Sequence, residues 1–388
     1  MAEELKIVEG KRQRGLGEVL TMGNEYAAWK DERNKHMISN EIYKRLAKRL
    51  DELPNRFPPT QSGIEFLMLA KVFTPEEAFL ACAMHLNAET ASAIAEHAGV
   101  DPKETRDTLK RMVAKGLVDL KKGEREFAYA LRPFVVGFYE GQLARMDVEM
   151  AELFEHYYRE TQGGVLRPTP ALHRVIPVHR AIPIKVNIEP YERASELLEK
   201  AQSWGVRDCI CRKQQQLLGK QCHHKLETCL VFAPVKNAFD RSTVDRALTK
   251  EEAFSILRET EEAGLVHSSG NYKDGIEYIC NCCTCCCGIM RGIAEYGIMS
   301  AIAHSDFQIA VVEENCSVCG VCIDRCQFKA LSIPDIVLKA DLRRCVGCGL
   351  CVLVCPEDAI HLERRGLGEI IVPPADIQEW RNQREKIL

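Results

Sequence analysis

The residues best suited to carry chemistry are eight cysteines near the C-terminus, arranged in two runs with one spacing. Each run reads C-x2-C-x2-C-x3-C, first over 316–326 and then over 345–355. Thiolates are soft ligands that suit iron–sulfur clusters, and this spacing is typical of segments that hold two [4Fe–4S] clusters. The sequence therefore predicts one-electron chemistry at two such clusters.

The spacing also predicts which cysteines share a cluster, because the fourth cysteine of each run ligates the other cluster in this pattern. One predicted set is Cys316, Cys319, Cys322 and Cys355. The other predicted set is Cys345, Cys348, Cys351 and Cys326. Structural zinc sites or disulfides are the alternatives, although zinc needs only four thiolates per site and rarely shows this run twice.

The two runs form an internal repeat with an offset of 29 residues. Gly320 and Gly349 occupy matching places, where a chain that bends around a cluster needs a positive φ or a close backbone approach. The repeat differs at one position: Pro356 follows the last cysteine of the second run, but Gln327 follows that of the first. This difference removes no ligand.

A second group of cysteines lies upstream, between residues 209 and 287. The candidate metal ligands are Cys209, Cys211, Cys222 and Cys229, followed by Cys282, Cys283, Cys285 and Cys286. Such a density would concentrate oxidisable thiols with no benefit for packing. We expect a further iron–sulfur cluster here, with zinc or metal-free redox thiols as alternatives. Neighbouring cysteines in an extended segment point to opposite sides, so one segment could serve two sites. Arg212 would offset the charge of a thiolate-ligated cluster, unless it is a surface arginine.

Composition places the chain among globular proteins. Its 388 residues give room for two or three domains, and 46% hydrophobic with 28% charged residues allow a packed core. The longest apolar runs are too short to span a bilayer, and the N-terminus lacks the apolar stretch of a secretory signal. Nineteen cysteines without an export signal favour reduced, metal-binding thiols. We therefore expect a cytoplasmic protein.

Patterns along the chain predict an α+β, multi-domain protein. We expect a helical arm over 1–63, a winged-helix-like domain over 64–160, a cysteine-rich α+β middle domain over 161–305, a 2[4Fe–4S] domain over 306–370 and a tail over 371–388. In the second of these, Pro102 suits a first helical position and Gly116 a helix end. Two strands then flank a turn at Gly123, in the order of a winged helix-turn-helix.

The winged-helix-like domain raises the alternative of a DNA-binding regulator. A DNA-binding module presents a clustered basic face, whereas residues 88–132 hold nine Lys or Arg beside eight Asp or Glu. Ion pairs such as Asp107 with Lys110 explain these charges equally well. Docking of a partner protein is therefore the preferred interpretation, and nucleic-acid binding is kept as the alternative.

With these motifs established, the chain resembles ferredoxin-type 4Fe–4S proteins of anaerobic bacteria and archaea that join a C-terminal dicluster domain to a larger N-terminal region. The two runs within 316–356 carry the resemblance, and the segments 209–212 and 282–287 look like a cysteine-rich extension of such proteins. The resemblance implies one-electron transfer between a donor and an acceptor protein, in a carrier or oxidoreductase subunit rather than a self-contained enzyme. A redox-sensing transcription regulator and a thiol/disulfide-type reductase acting at Cys280–Cys287 are the two other functions considered.

Overall fold

The computed structural model describes residues 41–123, 126–182 and 189–386, in which helices and short strands are mixed. The helices are α1 (Glu41–Asp51), α2 (Ile64–Val72), α3 (Pro75–Ala83), α4 (Ala91–Ala98), α5 (Pro102–Ala114), α6 (Tyr139–Gly141), α7 (Val148–Glu160), α8 (Ala194–Glu199), α9 (Ile210–Leu217), α10 (Lys250–Glu262), α11 (Gly288–Tyr296), α12 (Val321–Arg325) and α13 (Ile377–Glu385). The strands are β1 (Glu89–Thr90), β2 (Val118–Lys122), β3 (Phe127–Leu131), β4 (His173–Val175), β5 (Ser203–Asp208), β6 (Glu227–Ala233), β7 (Arg246–Leu248), β8 (Val266–Gly270), β9 (Tyr278–Cys282), β10 (Ile302–Ala303), β11 (Phe307–Val311), β12 (Leu331–Ser332), β13 (Lys339–Ala340) and β14 (Ile360–Arg364). The predicted α+β class is confirmed.

The N-terminal part is helical and ends in a small antiparallel sheet of order β1-β3-β2. Helix α3 begins at a capping box formed by Thr74 and Glu77, and α5 begins at Asp101, whose carboxylate accepts two backbone N–H groups. The elements follow one another as helix, short strand, helix, helix and hairpin. Residues 1–40 of the predicted arm and residues 124–125 of the predicted turn lie outside the described residues.

The middle part is built on a seven-stranded sheet of order β10-β4-β8-β9-β6-β5-β7. All neighbours in it are antiparallel except β10 and β4. Strand β5 ends directly before Cys209, β6 carries Cys229, and β9 carries Cys280 and Cys282. The three adjacent strands therefore deliver four of the upstream cysteines to one region of the sheet.

The first cysteine run lies between β11 and β12 and includes α12, and the second lies between β13 and β14; β11 pairs with β14 and β12 with β13, both antiparallel. Gly320 and Gly349 both have a φ of +79°, as predicted for loops that bend tightly. At Gly347, with a φ of +74°, a Cβ atom would lie 2.0 Å from the carbonyl oxygen of Phe307. The loop that carries the second run is thus pressed against β11, and only glycine fits at this contact.

One hydrophobic core runs from α1 through the middle sheet to the C-terminal loops. Helix α13, in the predicted tail, joins this core through Trp380 and Arg384, each only 2% exposed. The Arg384 guanidinium donates hydrogen bonds to the carbonyls of Pro54, Pro168 and Pro170 at 2.6–2.7 Å. Within the described residues, no helix is both long and apolar enough to cross a bilayer.

Candidate metal centres

The structure brings each predicted ligand set of the C-terminal runs together. Cys316, Cys319, Cys322 and Cys355 line one small cavity with Ile333, Leu338 and Ile360. In the second set, burial raises the pKa of Cys345, Cys348 and Cys351, and the Cys326 thiol raises all three further, although Cys322 of the first set also acts on Cys351. Cys326 therefore lies beside the second run, as the crossed assignment requires.

The spacing of these thiols is wider than a single metal ion would need. In the part of the chain that the structure describes, no three of the eight sulfur atoms lie within 4.8 Å of one another. A tetrahedral zinc ion with Zn–S bonds of about 2.3 Å would hold its sulfurs about 3.8 Å apart. In a [4Fe–4S] cluster each thiolate binds a different iron, so the sulfurs lie farther apart. The geometry favours clusters over zinc in both runs.

The two repeats also share a backbone contact to sulfur. The N–H of Ala330 donates to Sγ of Cys326 at 3.3 Å, and the N–H of Ala359 donates to Sγ of Cys355 at 3.3 Å. Each contact joins a residue to the cysteine four positions before it. Hydrogen bonds to ligand sulfurs are one of the factors that set cluster potential. The matching contacts show that the internal repeat extends from sequence into the local environment of the sulfur atoms.

The upstream cysteines divide into two groups, and the division differs from the predicted one. The first group, the four-thiol group, consists of Cys222, Cys283, Cys285 and Cys286, whose sulfur atoms all lie within 4.8 Å of one another. The Cys222–Cys285 and Cys285–Cys286 sulfur distances are 3.7 and 3.6 Å. These distances match the edge of about 3.8 Å expected for thiolates around one zinc ion. The four-thiol group therefore fits a single tetrahedral ion.

The second group, the six-thiol ring, consists of Cys209, Cys211, Cys229, Cys280, Cys282 and Cys287. Cys209 interacts with Cys211 and Cys229, Cys280 with Cys229 and Cys282, and Cys287 with Cys211 and Cys282. The six side chains thus close a circle. Cys222, predicted to lie with Cys209, belongs to the four-thiol group instead. Cys280 and Cys287 were not among the predicted metal ligands, although both belong to the segment considered as a reductase site.

Strand register explains why the ring forms. Leu230 of β6 is paired with Ile279 of β9, which places Cys229 opposite Cys280 in the antiparallel ladder. Cys280 and Cys282 are two residues apart and lie on one face of β9. After β9 the chain turns, so Cys283 joins the four-thiol group while Cys282 stays in the ring. This arrangement agrees with the expectation that one extended segment could serve two sites, because the cysteines of the segment 280–287 divide between the ring and the four-thiol group.

Arg212 is a buried guanidinium close to both groups, and its relative exposure is only 1%. It donates hydrogen bonds to the carbonyls of Lys225 and Asn281 and to the Thr228 hydroxyl. Although burial acts to lower the pKa of Arg212, the thiolates of Cys209 and Cys283 raise it overall. The alternative of a surface arginine is wrong. Arg212 supplies a fixed positive charge beside two groups of thiols, and thiols must lose their protons before they can bind a metal.

Gln327 connects the C-terminal domain to the upstream cysteines. Its Oε1 accepts the backbone N–H of Thr284 at 2.7 Å, and its Nε2 donates to the carbonyls of Gly264 and Cys282. The neighbouring Arg325 donates to the carbonyl of Glu262 at 2.9 Å. The residue that replaces proline in the first run therefore joins Cys326 to the turn between the ring and the four-thiol group.

Comparisons with known proteins agree with the C-terminal geometry. Residues 339–361, which include the whole second run, match the family model described as 4Fe-4S binding domain. The chain is also 36% identical over 53 residues to one subunit of the ion-translocating oxidoreductase complex of Methanosarcina acetivorans. That alignment covers 14% of this chain and 20% of the relative, so the chain matches about a fifth of the relative's length. No solved structure matches the chain. The chain therefore contains a 4Fe–4S binding domain of the ferredoxin type near its C-terminus.

Proposed function

We propose that this protein transfers single electrons through two [4Fe–4S] clusters, as a carrier or as the electron-transfer subunit of a cytoplasmic redox complex. One cluster would be held by Cys316, Cys319, Cys322 and Cys355, and the other by Cys345, Cys348, Cys351 and Cys326. The observation that carries the proposal is the meeting of Cys326 with the second run, because the crossed pattern is that of dicluster domains. A matching segment in a subunit of an oxidoreductase complex supports a role with redox partner proteins.

A metal centre in the middle region extends the electron path. Cys326 and Gln327 are consecutive, and the Gln327 side chain bonds the backbone at Cys282 and Thr284. Covalent bonds and two hydrogen bonds thus join a cluster ligand to a segment that serves both upstream groups. This contact is the route proposed for electrons between the C-terminal domain and the middle region.

The four-thiol group is proposed to hold zinc in a structural role. Its sulfur distances of 3.6 and 3.7 Å fit one tetrahedral ion, and two members, Cys283 and Cys286, are buried. A closed site with four protein ligands leaves no open position for a substrate. Zinc at this position would fix the turn that Gln327 contacts, without taking up electrons itself.

Residues 64–160 are proposed to be a winged-helix-like module that docks a redox partner rather than DNA. The basic residues of this region are partly neutralised within the fold. Lys110 pairs with Asp107 at 3.2 Å, Lys115 with Glu77 at 2.7 Å, and Arg132 with Asp119 at 2.6 Å. Cations that are already paired contribute less to a basic face for phosphate contacts.

Serine variants of the cysteine ligands test the two clusters and their crossed assignment. Cys319→Ser and Cys355→Ser should each remove the first cluster, and Cys348→Ser should remove the second. Each variant should lose about four iron and four sulfide, as one cubane contains, while the other cluster's EPR signal remains. Cys82→Ala, a lone cysteine of α3, is the matched control and should lose none. If Cys355→Ser removed the same signal as Cys348→Ser, the crossed assignment would be wrong.

A further inference from the structure

A cavity of about 450 Å³ lies against the six-thiol ring. All six ring cysteines line it, together with the apolar side chains of Phe134, Leu143, Phe154 and Phe232. Its volume falls in the range of about 300–1,000 Å³ that is typical of small-molecule sites. The ring is therefore at the wall of a ligand-sized cavity, whereas a purely structural metal site would be enclosed by protein.

The ring is too large for one metal ion and is composed only of thiols. Among the residues described by the structure, no three of its sulfur atoms lie within 4.8 Å of one another. A single zinc ion would use four of the six thiols at most. Thiolates that are spaced around a wider circle suit a cluster with several irons, since each sulfur can bind a different metal atom.

The surroundings of the ring provide positive charge for such a cluster. Cys209 immediately precedes α9 and Cys287 immediately precedes α11, so both are at helix N-termini, where the free N–H groups favour negative charge. The Arg212 guanidinium adds a full positive charge beside Cys209. Several thiolates can therefore be deprotonated together in this buried region once metal ions are present.

The cavity wall is mainly apolar but also carries charged side chains, which are Arg132, Arg207, Arg291, Glu140, Asp208 and Glu277. His173 hydrogen-bonds Ser268 at 3.2 Å and Tyr278 at 3.0 Å, and burial lowers the pKa of His173 to about 4, which keeps it neutral. The Tyr139 hydroxyl donates to the Gln214 side chain. The three arginines and the three acidic residues balance one another in formal charge, and the remaining wall is mainly apolar, so the cavity favours a molecule that is largely apolar and has no net charge.

We infer that the six-thiol ring binds an iron–sulfur cluster of more than one iron, and that the adjoining cavity holds a small, uncharged, largely apolar molecule in direct contact with that cluster. This site is additional to the two C-terminal clusters and to the four-thiol group. It adds a ligand-binding metal centre to the proposed electron-transfer role. The inference stands on the ring and the cavity and does not require the C-terminal clusters.

Metal analysis of the anaerobically purified full chain is the first test. Wild-type protein should hold more iron than the about eight atoms of two cubanes, together with one zinc. Cys211→Ala/Cys282→Ala should lose only the excess iron and keep the zinc and both C-terminal EPR signals. The matched control Cys283→Ala/Cys285→Ala should lose zinc and keep the excess iron. A wild-type content of about eight iron would overturn the inference while leaving the proposed function intact, whatever the variants do.

The cavity is tested with tert-butyl isocyanide, a small, uncharged and apolar molecule that binds iron through carbon. It should change the visible and EPR spectra of the ring cluster in the wild type. Leu143→Trp, which fills the cavity from a position outside the ring, should abolish this change and leave the iron content at the wild-type value. A wild-type spectrum that the isocyanide does not change would overturn the assignment of the cavity as a ligand site.

Discussion

Removal of the Gln327 side chain should loosen the contact between the C-terminal domain and the upstream cysteines. In Gln327→Ala, the N–H of Thr284 loses its acceptor at 2.7 Å and the carbonyl of Gly264 loses its donor, so two short hydrogen bonds are lost besides the longer one to the carbonyl of Cys282 at 3.4 Å. Each hydrogen bond contributes roughly 1 kcal/mol net, so the contact should weaken by about 2 kcal/mol. That free energy corresponds to about a 30-fold rise in the population in which the contact is open.

Hydrogen–deuterium exchange of the 283–288 segment measures this opening directly. Under anaerobic conditions, with mass-spectrometric detection, the Thr284 amide should exchange about 30-fold faster in Gln327→Ala than in the wild type. Gln327→Glu keeps the acceptor for Thr284 but loses the donor to Gly264, so its exchange should be intermediate. Pro356→Ala, at the equivalent and exposed position of the other repeat, is the matched control and should leave exchange unchanged.

The same variants connect the contact to function. Both C-terminal clusters should retain their EPR signals in Gln327→Ala, because Cys326 is untouched. Electron exchange between the C-terminal domain and the ring cluster should slow, when followed by freeze-quench EPR after rapid reduction. Wild-type exchange at Thr284 in Gln327→Ala would refute the reasoning that this side chain holds the two regions together.

Three other substitutions test the buried charges around the site. Burial raises the pKa of Glu140 to about 7, so the protonated carboxyl is favoured in the folded state. The wild-type protein therefore loses stability as pH rises from about 4.5 to 7. In urea titrations, the free energy of unfolding of Glu140→Gln should equal that of the wild type near pH 4.5 and exceed it by at most about 3 kcal/mol above pH 7. Burial acts to raise the pKa of Glu155, but two 2.8 Å hydrogen bonds from Arg291 help lower it to about 2. Glu155→Gln should therefore lower the free energy of unfolding at neutral pH by about 3 kcal/mol in the same assay. The loss would be absent if the pair were solvated. Arg384→Met should release α13 and make 377–385 susceptible to limited proteolysis, whereas equal cleavage in wild type and variant would contradict the docking described for this helix.

The C-terminal part of the site could be predicted from sequence because its ligands are local. Three cysteines of each set lie within seven residues, and the fourth follows from the pattern itself. Gly320 and Gly349 were predictable for the same reason, since their positive φ is required by a short loop. In this region the cysteines that are close in sequence are also close in space.

The division of the upstream cysteines could not be predicted, because it depends on contacts distant in sequence. Cys222 meets Cys285 across 63 residues, and Cys229 meets Cys280 through the register of β6 and β9. Strand register is fixed by the whole sheet, and a shift of one residue would exchange the two faces. Sequence proximity grouped Cys222 with Cys209, whereas the fold separates them.

The burial of Arg212 and the contacts of Gln327 were not predictable from sequence, although a charge-offsetting role was one of the two alternatives considered for Arg212. An arginine beside two cysteines is usually exposed, and its burial becomes evident only from the carbonyls of Lys225 and Asn281 that surround it. The sequence shows that Gln327 stands where the other repeat has proline, but only the structure shows that its side chain hydrogen-bonds the backbone of Gly264 and Thr284. The position directly after the last cysteine, where the two repeats differ, is thus a position where the C-terminal domain contacts the middle region.

EPR spectroscopy of the anaerobic wild-type protein during stepwise reduction tests the central claim most directly. Because each [4Fe–4S] cluster accepts one electron, at least two iron–sulfur signals per chain should appear on reduction and disappear on reoxidation. Cys348→Ser measured alongside should lack one of the two. A wild-type protein that shows no reducible iron–sulfur signal would contradict the assignment of this chain as an electron-transfer protein.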